Sequence, residues 1–278
     1  FLMSKKIIVL TGATGFVGSA IAAKIECKEL RLISRCDPKI PNTIFCKEAI
    51  CKSSNYQYFL QNSDVVIHSA ARVHVMKDLA KDPLAEFRAV NVEGTLNLAR
   101  QAAEAGVKRF IFLSTIKVLG EDTVLGKPFT NDDRLDPQDP YSVSKAEAEI
   151  GLREIGQNSD MDIVIIRPPL VYGAGVKGNF SSLLKLVRLA IPLPLGDIEN
   201  KRSFVSIENL VDLVVTCLDH PNAKNKSFLV SDDRDLSTPD LLSMIAKAGG
   251  RKPWIFKCPL LLLSIFLRLL GKSAVYER

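Results

Sequence analysis

The first apolar run of the chain, Lys6 to Leu10, leads straight into Thr11-Gly12-Ala13-Thr14-Gly15-Phe16-Val17-Gly18. A glycine triplet at this spacing, between a strand and a helix, restricts the fold sharply. The first glycine permits a tight turn, the second lets backbone approach a pyrophosphate, and the third allows close helix–strand packing. Free N–H groups at the helix start and the helix dipole favour an anion there. Alone the triplet is a weak signal; its strand-to-helix context turns it into a dinucleotide fingerprint. Gly12, Thr14, Gly15, Phe16, Val17 and Gly18 are therefore the expected cofactor-binding turn.

Beyond this turn, short apolar runs alternate with longer helical stretches. The runs are Leu30 to Ser34, Asp64 to His68, Arg109 to Leu113 and Asp162 to Ile166, and Asp82 to Ala105 reads as the longest helix. Such alternation predicts an α/β fold, a doubly wound parallel sheet with helices on both faces. Asn42 to Phe59 should hold a third strand and a short helix, although its periodicity is weak. After Tyr172 glycines and prolines cluster, which predicts loops shaped around a ligand. The expected layout is a dinucleotide-binding domain over 3–172, to which 203–231 returns, and a smaller, mostly helical substrate domain over 173–202 and 232–278.

A chain of 278 residues, 47% hydrophobic and 24% charged, is long enough for a large core, which excludes disordered and fibrous classes. Its net charge of +6 is scattered, without a basic arm, so no nucleic-acid partner is expected. The six cysteines form no Cys-x-x-Cys pair and lie near no histidine cluster. They read as reduced thiols of a cytoplasmic protein with no metal site. No secretory signal precedes Lys5, and Phe1-Leu2 ahead of Met3 read as vector residues or an upstream start. Pro259 to Leu270 is strongly apolar but shorter than the roughly 20 residues a transmembrane helix needs. It is expected to pack as a helix, with attachment to a membrane surface as the alternative.

Catalytic chemistry is suggested further along. Tyr141 and Lys145 are four apart, so on a helix they share one face, and the ammonium can help to hold the phenol ionised. The Thr115 hydroxyl, on a loop after a buried strand, could complete a proton-transfer site. The second strand ends in Ser34-Arg35-Cys36-Asp37. An arginine there accommodates the 2′-phosphate of NADP, whereas an acidic residue grips the ribose of NAD, so Arg35 favours NADP(H) and Asp37 keeps NAD(H) possible.

Together with His68-Ser69-Ala70-Ala71, Asn91-Val92-Glu93-Gly94-Thr95, Ser114-Thr115 and Arg167-Pro168-Pro169-Leu170-Val171-Tyr172-Gly173, these residues resemble the extended short-chain dehydrogenase/reductase superfamily. The likeness is to its branch of nucleotide-sugar epimerases, dehydratases and reductases with a Rossmann fold. More narrowly, Ala71-Arg72-Val73-His74-Val75-Met76 is similar to the bacterial group of UDP-N-acetylquinovosamine 4-keto-reductases, often labelled UDP-glucose 4-epimerases.

The resemblance implies roles residue by residue. Tyr141 would be the acid–base; Lys145 would bind the nicotinamide ribose and lower the phenol pKa; Thr115 would hold the sugar oxygen. Asn91 would sit in the supporting shell, and Ala70 and Pro168 would contact the cofactor. Asn179 and Arg202 would bind the nucleotide diphosphate of a UDP-sugar, although by position alone a helix cap and a surface ion pair are equal alternatives. His68 and His74 read as packed or loop residues, and Arg72 and Lys77 as substrate-facing or surface residues alike.

The activity expected is 4-reduction of a UDP-4-keto-6-deoxy-N-acetylglucosamine in surface polysaccharide synthesis. The alternative is a 4-epimerase that retains NAD, and a remote one is a non-catalytic dinucleotide-binding protein. A dehydratase is disfavoured because Ile116-Lys117 replaces the Asp-Glu pair usual after Thr115. Ala49-Ile50 stands where relatives place an acidic residue for adenine, and Leu119 where a tyrosine is frequent. The resemblance further implies a homodimer and a C-terminal segment beyond Arg278.

Overall fold

The computed structural model describes residues 4–73, 82–124, 126–176, 179–189 and 191–259. Seven parallel strands form its central sheet, β1 (Ser4–Thr11), β2 (Cys27–Ser34), β3 (Thr43–Lys47), β4 (Val65–His68), β5 (Arg109–Leu113), β6 (Asp162–Arg167) and β9 (Ser227–Leu229). Their order is β3-β2-β1-β4-β5-β6-β9. The order reverses between β1 and β4, which makes their carboxyl ends the topological switch point where open α/β sheets bind ligands. Every residue of β4 and β5 is buried, as expected of strands covered on both faces.

Alternate residues divide the core in two. Ile8, Leu10, Ile67, Ile111 and Val164 pack with Ile21 of α1 (Phe16–Lys24) and with Leu210, Val211 and Val214 of α7 (Ile207–Cys217). Val9, Val66, Phe110, Phe112 and Ile163 face Leu98 and Ala102 of α4 (Thr95–Glu104), and Ala148 and Leu152 of α5 (Pro140–Gln157). Each fully buried Leu or Ile contributes on the order of 2 kcal/mol, so these two layers carry the sheet.

The weakly periodic stretch after β2 holds β3 and one turn of helix, α2 (Gln57–Leu60). Buried Tyr56 anchors it, donating its hydroxyl to the Ala49 carbonyl at 2.7 Å. The long helix expected over 82–105 is three segments. α3 (Pro83–Arg88) is capped by Asp82, a π turn covers Ala89–Gly94, and α4 follows. The extra residue of a π turn resets which side chains face the core.

The chain divides into two compact units. One comprises the chain up to Val171 together with Val205–Ser231; the other comprises Tyr172–Phe204 and the chain from Asp232. β7 (Leu170–Tyr172) and β8 (Phe204–Ser206) pair where the chain leaves and re-enters the first unit. In the second unit, α6 (Asn179–Arg188) and α8 (Thr238–Ala248) accompany bridges Leu193–Ile255 and Arg202–Leu236. The apolar run expected to pack or to meet a membrane lies, after Pro259, outside the described residues. No described helix is long and apolar enough to cross a membrane.

Candidate active site

At the switch point Thr11 and His68, the last residues of β1 and β4, are register partners. Gly12 follows with φ of +76°, a backbone conformation that favours glycine. A Cβ on Gly12 would lie 2.7 Å from Ala70 N, and one on Gly18 2.1 Å from the Gly12 carbonyl oxygen, so neither position has room for a side chain. Ser69 Oγ donates to the Thr11 carbonyl at 2.7 Å and Ala70 N to Thr11 Oγ1 at 3.2 Å, locking the two strand ends together. α1 starts at Gly15 with no side-chain cap, leaving its first N–H groups for an anion. This uncapped, glycine-lined cradle fits a dinucleotide pyrophosphate. Arg35, Cys36 and Asp37 are exposed just past β2, and Asp37 accepts from Lys39 N at 2.8 Å.

α5 carries Tyr141 and Lys145, the pair expected to do acid–base work. Asp139 caps it, accepting from Ser142 N at 2.8 Å, and Pro140 occupies its first turn. Tyr141 and Lys145 follow on one face. Thr115 caps the short 3-10 turn Ile116–Val118, accepting from Lys117 N at 3.3 Å, which leaves its hydroxyl proton available for a ligand. Lys117 Nζ reaches Asp139 at 2.8 Å, so the Thr115 turn is tied to the start of α5.

Electrostatics here follow from burial. The Tyr141 phenol is pushed up to about 12 by desolvation and by the Asp139 carboxylate. Lys145, only 1% exposed, falls from 10.5 to about 7 because burial disfavours its charge, with the Glu149 carboxylate opposing that shift. Its Nζ lies 4.0 Å from the Phe112 ring centre, an attractive position for a cation. His68 is fully buried between Thr11 Oγ1 (2.8 Å) and Thr95 Oγ1 (2.9 Å), and burial lowers its pKa to about 3. It is a neutral packed histidine, stacked on Phe112.

Asn91 sits in the π turn and is buried. Its side chain accepts from Arg72 N at 2.8 Å and donates to Arg72 O and Ser144 Oγ, both at 3.0 Å. It thus joins the loop after β4 to the helix of Tyr141. Arg72 lies over the Phe87 ring at 5.6 Å, and Phe87 meets Tyr141 edge-on at 6.1 Å. His74 and Lys77 lie outside the described residues, as does the side chain of Asn179, the first residue of α6. Arg202 is exposed in the second unit, its backbone bridged to Leu236. Pro168 accepts from Ile116 N at 3.0 Å, beside the Thr115 turn. Among the described residues no three His, Cys, Asp or Glu side chains gather as a metal site.

Two residues escaped the sequence reading. Glu48 directly follows β3, one position before Ala49-Ile50, and its Oε1 accepts from Ala49 N and Ser54 Oγ. Glu149 continues the four-residue spacing of Tyr141 and Lys145, a periodic signal that was there to find. It is fully buried against Ser114 and Arg167.

Residues 8–231 match the model of the family described as "Epimerase: NAD dependent epimerase/dehydratase family". The chain is 46% identical over 278 residues to a UDP-glucose 4-epimerase of Vibrio cholerae, covering 98% of this chain and 85% of that protein. The structure of a UDP-N-acetylglucosamine 4-epimerase from Methanobrevibacter ruminantium M1 superposes with TM-score 0.77 and 21% identity, covering 92% and 87% of the two chains. A UDP-glucuronic acid 4-epimerase from Bacillus cereus gives 0.75 and 23%, covering 94% and 93%. These two likenesses show the shared fold, a Rossmann-like parallel sheet. The glycine cradle, the Tyr141/Lys145 helix and the family match converge: this chain is an extended short-chain dehydrogenase/reductase, an NAD-dependent enzyme belonging to the epimerase/dehydratase family.

Proposed function

We propose that the chain is a UDP-sugar 4-epimerase that retains NAD. The observation that carries this reading is the near full-length similarity to a UDP-glucose 4-epimerase, in a chain whose buried Tyr141 and Lys145 share one helix face. It displaces the 4-keto-reductase expected from sequence. The preference for NADP read from Arg35 likewise lacks support: the matching family is described as NAD dependent, and Arg35 and Asp37 are both exposed beyond β2.

Gly12, Thr14, Gly15, Phe16, Val17 and Gly18 would hold the pyrophosphate, with Arg35, Ala70, Asn91 and Pro168 along the rest of the cofactor. NAD, when bound, supplies the acceptor and later the donor of the C4 hydride. Tyr141 takes the C4 hydroxyl proton as the sugar is oxidised and returns it after the keto sugar has turned over. Thr115 donates a hydrogen bond to the same oxygen. Lys145, as an ammonium, holds a ribose and lowers the energy of the phenolate. Asn179 and Arg202 would bind the diphosphate. Elimination chemistry is poorly served, because Ile116-Lys117 follow Thr115 where the superfamily's dehydratases usually place an Asp-Glu pair.

The test is to incubate the purified protein with UDP-glucose or UDP-N-acetylglucosamine and to quantify the C4 epimers. Epimer should form without net nicotinamide oxidation or reduction, and Tyr141→Phe should lower turnover at least ~100-fold while cofactor binding persists. Stoichiometric NADPH consumption with a UDP-4-keto-6-deoxy sugar would restore the reductase reading.

A further inference from the structure

Glu149 and Arg167 form a buried ion pair, 0% and 3% exposed, in a part of the molecule with no assigned role. Arg167 Nη2 donates to Glu149 Oε2 at 2.7 Å and Nε to Oε1 at 3.1 Å, while Ser114 Oγ donates to Oε1 at 2.5 Å. Arg167 Nη1 is buried without an acceptor among the described residues. Ser114 immediately precedes Thr115, and its N–H donates to the Ile166 carbonyl at 2.8 Å. The carboxylate therefore joins three pieces of chain: α5, the end of β5 and the end of β6. On the other side of Thr115, Lys117 is tied to Asp139. Asp139 and Glu149 are ten residues apart, about 15 Å along a helix. Tyr141 and Lys145 lie between these two ties.

We propose that Glu149 is a positioning residue for proton transfer: through Ser114 it sets the Thr115 hydroxyl against Tyr141, and from one turn below Lys145 it places a buried carboxylate on the same helix face as that amine. This deepens the epimerase reading and rests on it. A carboxylate one turn away favours the ammonium, and Glu149 is the group that raises the Lys145 pKa against burial. The Arg167 guanidinium, bonded to the same carboxylate, offsets part of that effect; His68 on β4 is held neutral, and Tyr141 lies on the same helix as Lys145. A charge pair retained only for stability could be exchanged for apolar side chains of similar volume without loss, since such exchanges are often neutral or stabilising.

The test compares Glu149→Leu/Arg167→Met with the wild type and with Ser114→Ala, which leaves the ion pair intact. The double variant is expected to melt near the wild-type temperature, yet to turn over UDP-glucose at least ~10-fold more slowly with KM within about threefold. Ser114→Ala should lose about fivefold in kcat. Titrating the NAD-loaded proteins at 295 nm, with Tyr141→Phe subtracted, should show Tyr141 ionising at least half a pH unit higher in the double variant, because Lys145 loses its counter-charge. Full kcat with an unmoved titration in the double variant would overturn the proposal, and should that variant not fold, unchanged kcat in Ser114→Ala would do so. The titration needs no substrate, so it decides the case even if UDP-sugars are not epimerised. Undiminished turnover in Tyr141→Phe would instead overturn the epimerase mechanism.

Discussion

Lys145 is where function works against stability most directly. Its ordinary pKa of 10.5 falls to about 7 in the folded protein because the amine is enclosed by Phe112 and the β-sheet. Between these values the unfolded chain binds the proton that the native state resists. The Lys145 contribution to stability is thus complete above pH 10.5 and declines as pH falls towards 7, at about 1.4 kcal/mol per unit. Removing the amine removes that penalty. Lys145→Met should be more stable than wild type by on the order of 2 kcal/mol at pH 7, while losing turnover. Urea unfolding at pH 7 and pH 10 checks the sign: the gain must shrink at the higher pH, and a gain independent of pH would refer the effect to packing instead.

Among the elements, the π turn Ala89–Gly94 does more than join two helices. The turn is where Asn91 faces inward to reach Arg72 and Ser144, and where Gly94 meets the strand-to-helix connection after β3. A Cβ on Gly94 would come within 2.9 Å of the Ile50 carbonyl carbon and oxygen, backbone atoms that cannot rotate aside. Helix propensity alone would make Gly94→Ala favourable by about 1 kcal/mol. Overpacking against backbone costs about 1–3 kcal/mol, so the clash should offset that gain and leave a net loss of up to about 2 kcal/mol. Denaturant midpoints at unchanged m-value measure this. A stabilised variant would mean that the turn tolerates closer approach and is not held by Ile50.

At the scale of the whole molecule, what was legible in sequence was whatever is carried by local pattern. The glycine turn, the apolar runs of β1, β4, β5 and β6, and the four-residue spacing of Tyr141 and Lys145 each announce backbone geometry within a few residues. What stayed hidden depends on partners far along the chain. Ser114, Glu149 and Arg167 meet across 53 residues of sequence, and Gly94 of the π turn packs closely against the backbone of Ile50. The depressed Lys145 and raised Tyr141 likewise follow from burial, which no spacing reveals. The same separation of local from distant determinants yields a test of the whole cofactor cradle. Gly18 needs its hydrogen because a Cβ would strike the Gly12 backbone, and Gly12 is in turn closed against Ser69 and Ala70. Ligand bound to the native state alone stabilises it by about 2.7 kcal/mol at a hundredfold excess over Kd, on the order of 5 °C in a chain of this size. NAD added to nucleotide-stripped protein should therefore raise Tm by about that much, and more than NADP does at equal concentration. In Gly18→Ala the turn must open, lowering Tm without ligand and abolishing the NAD-dependent rise. Retention of the full rise in that variant would place the dinucleotide elsewhere than at the β1–β4 switch point.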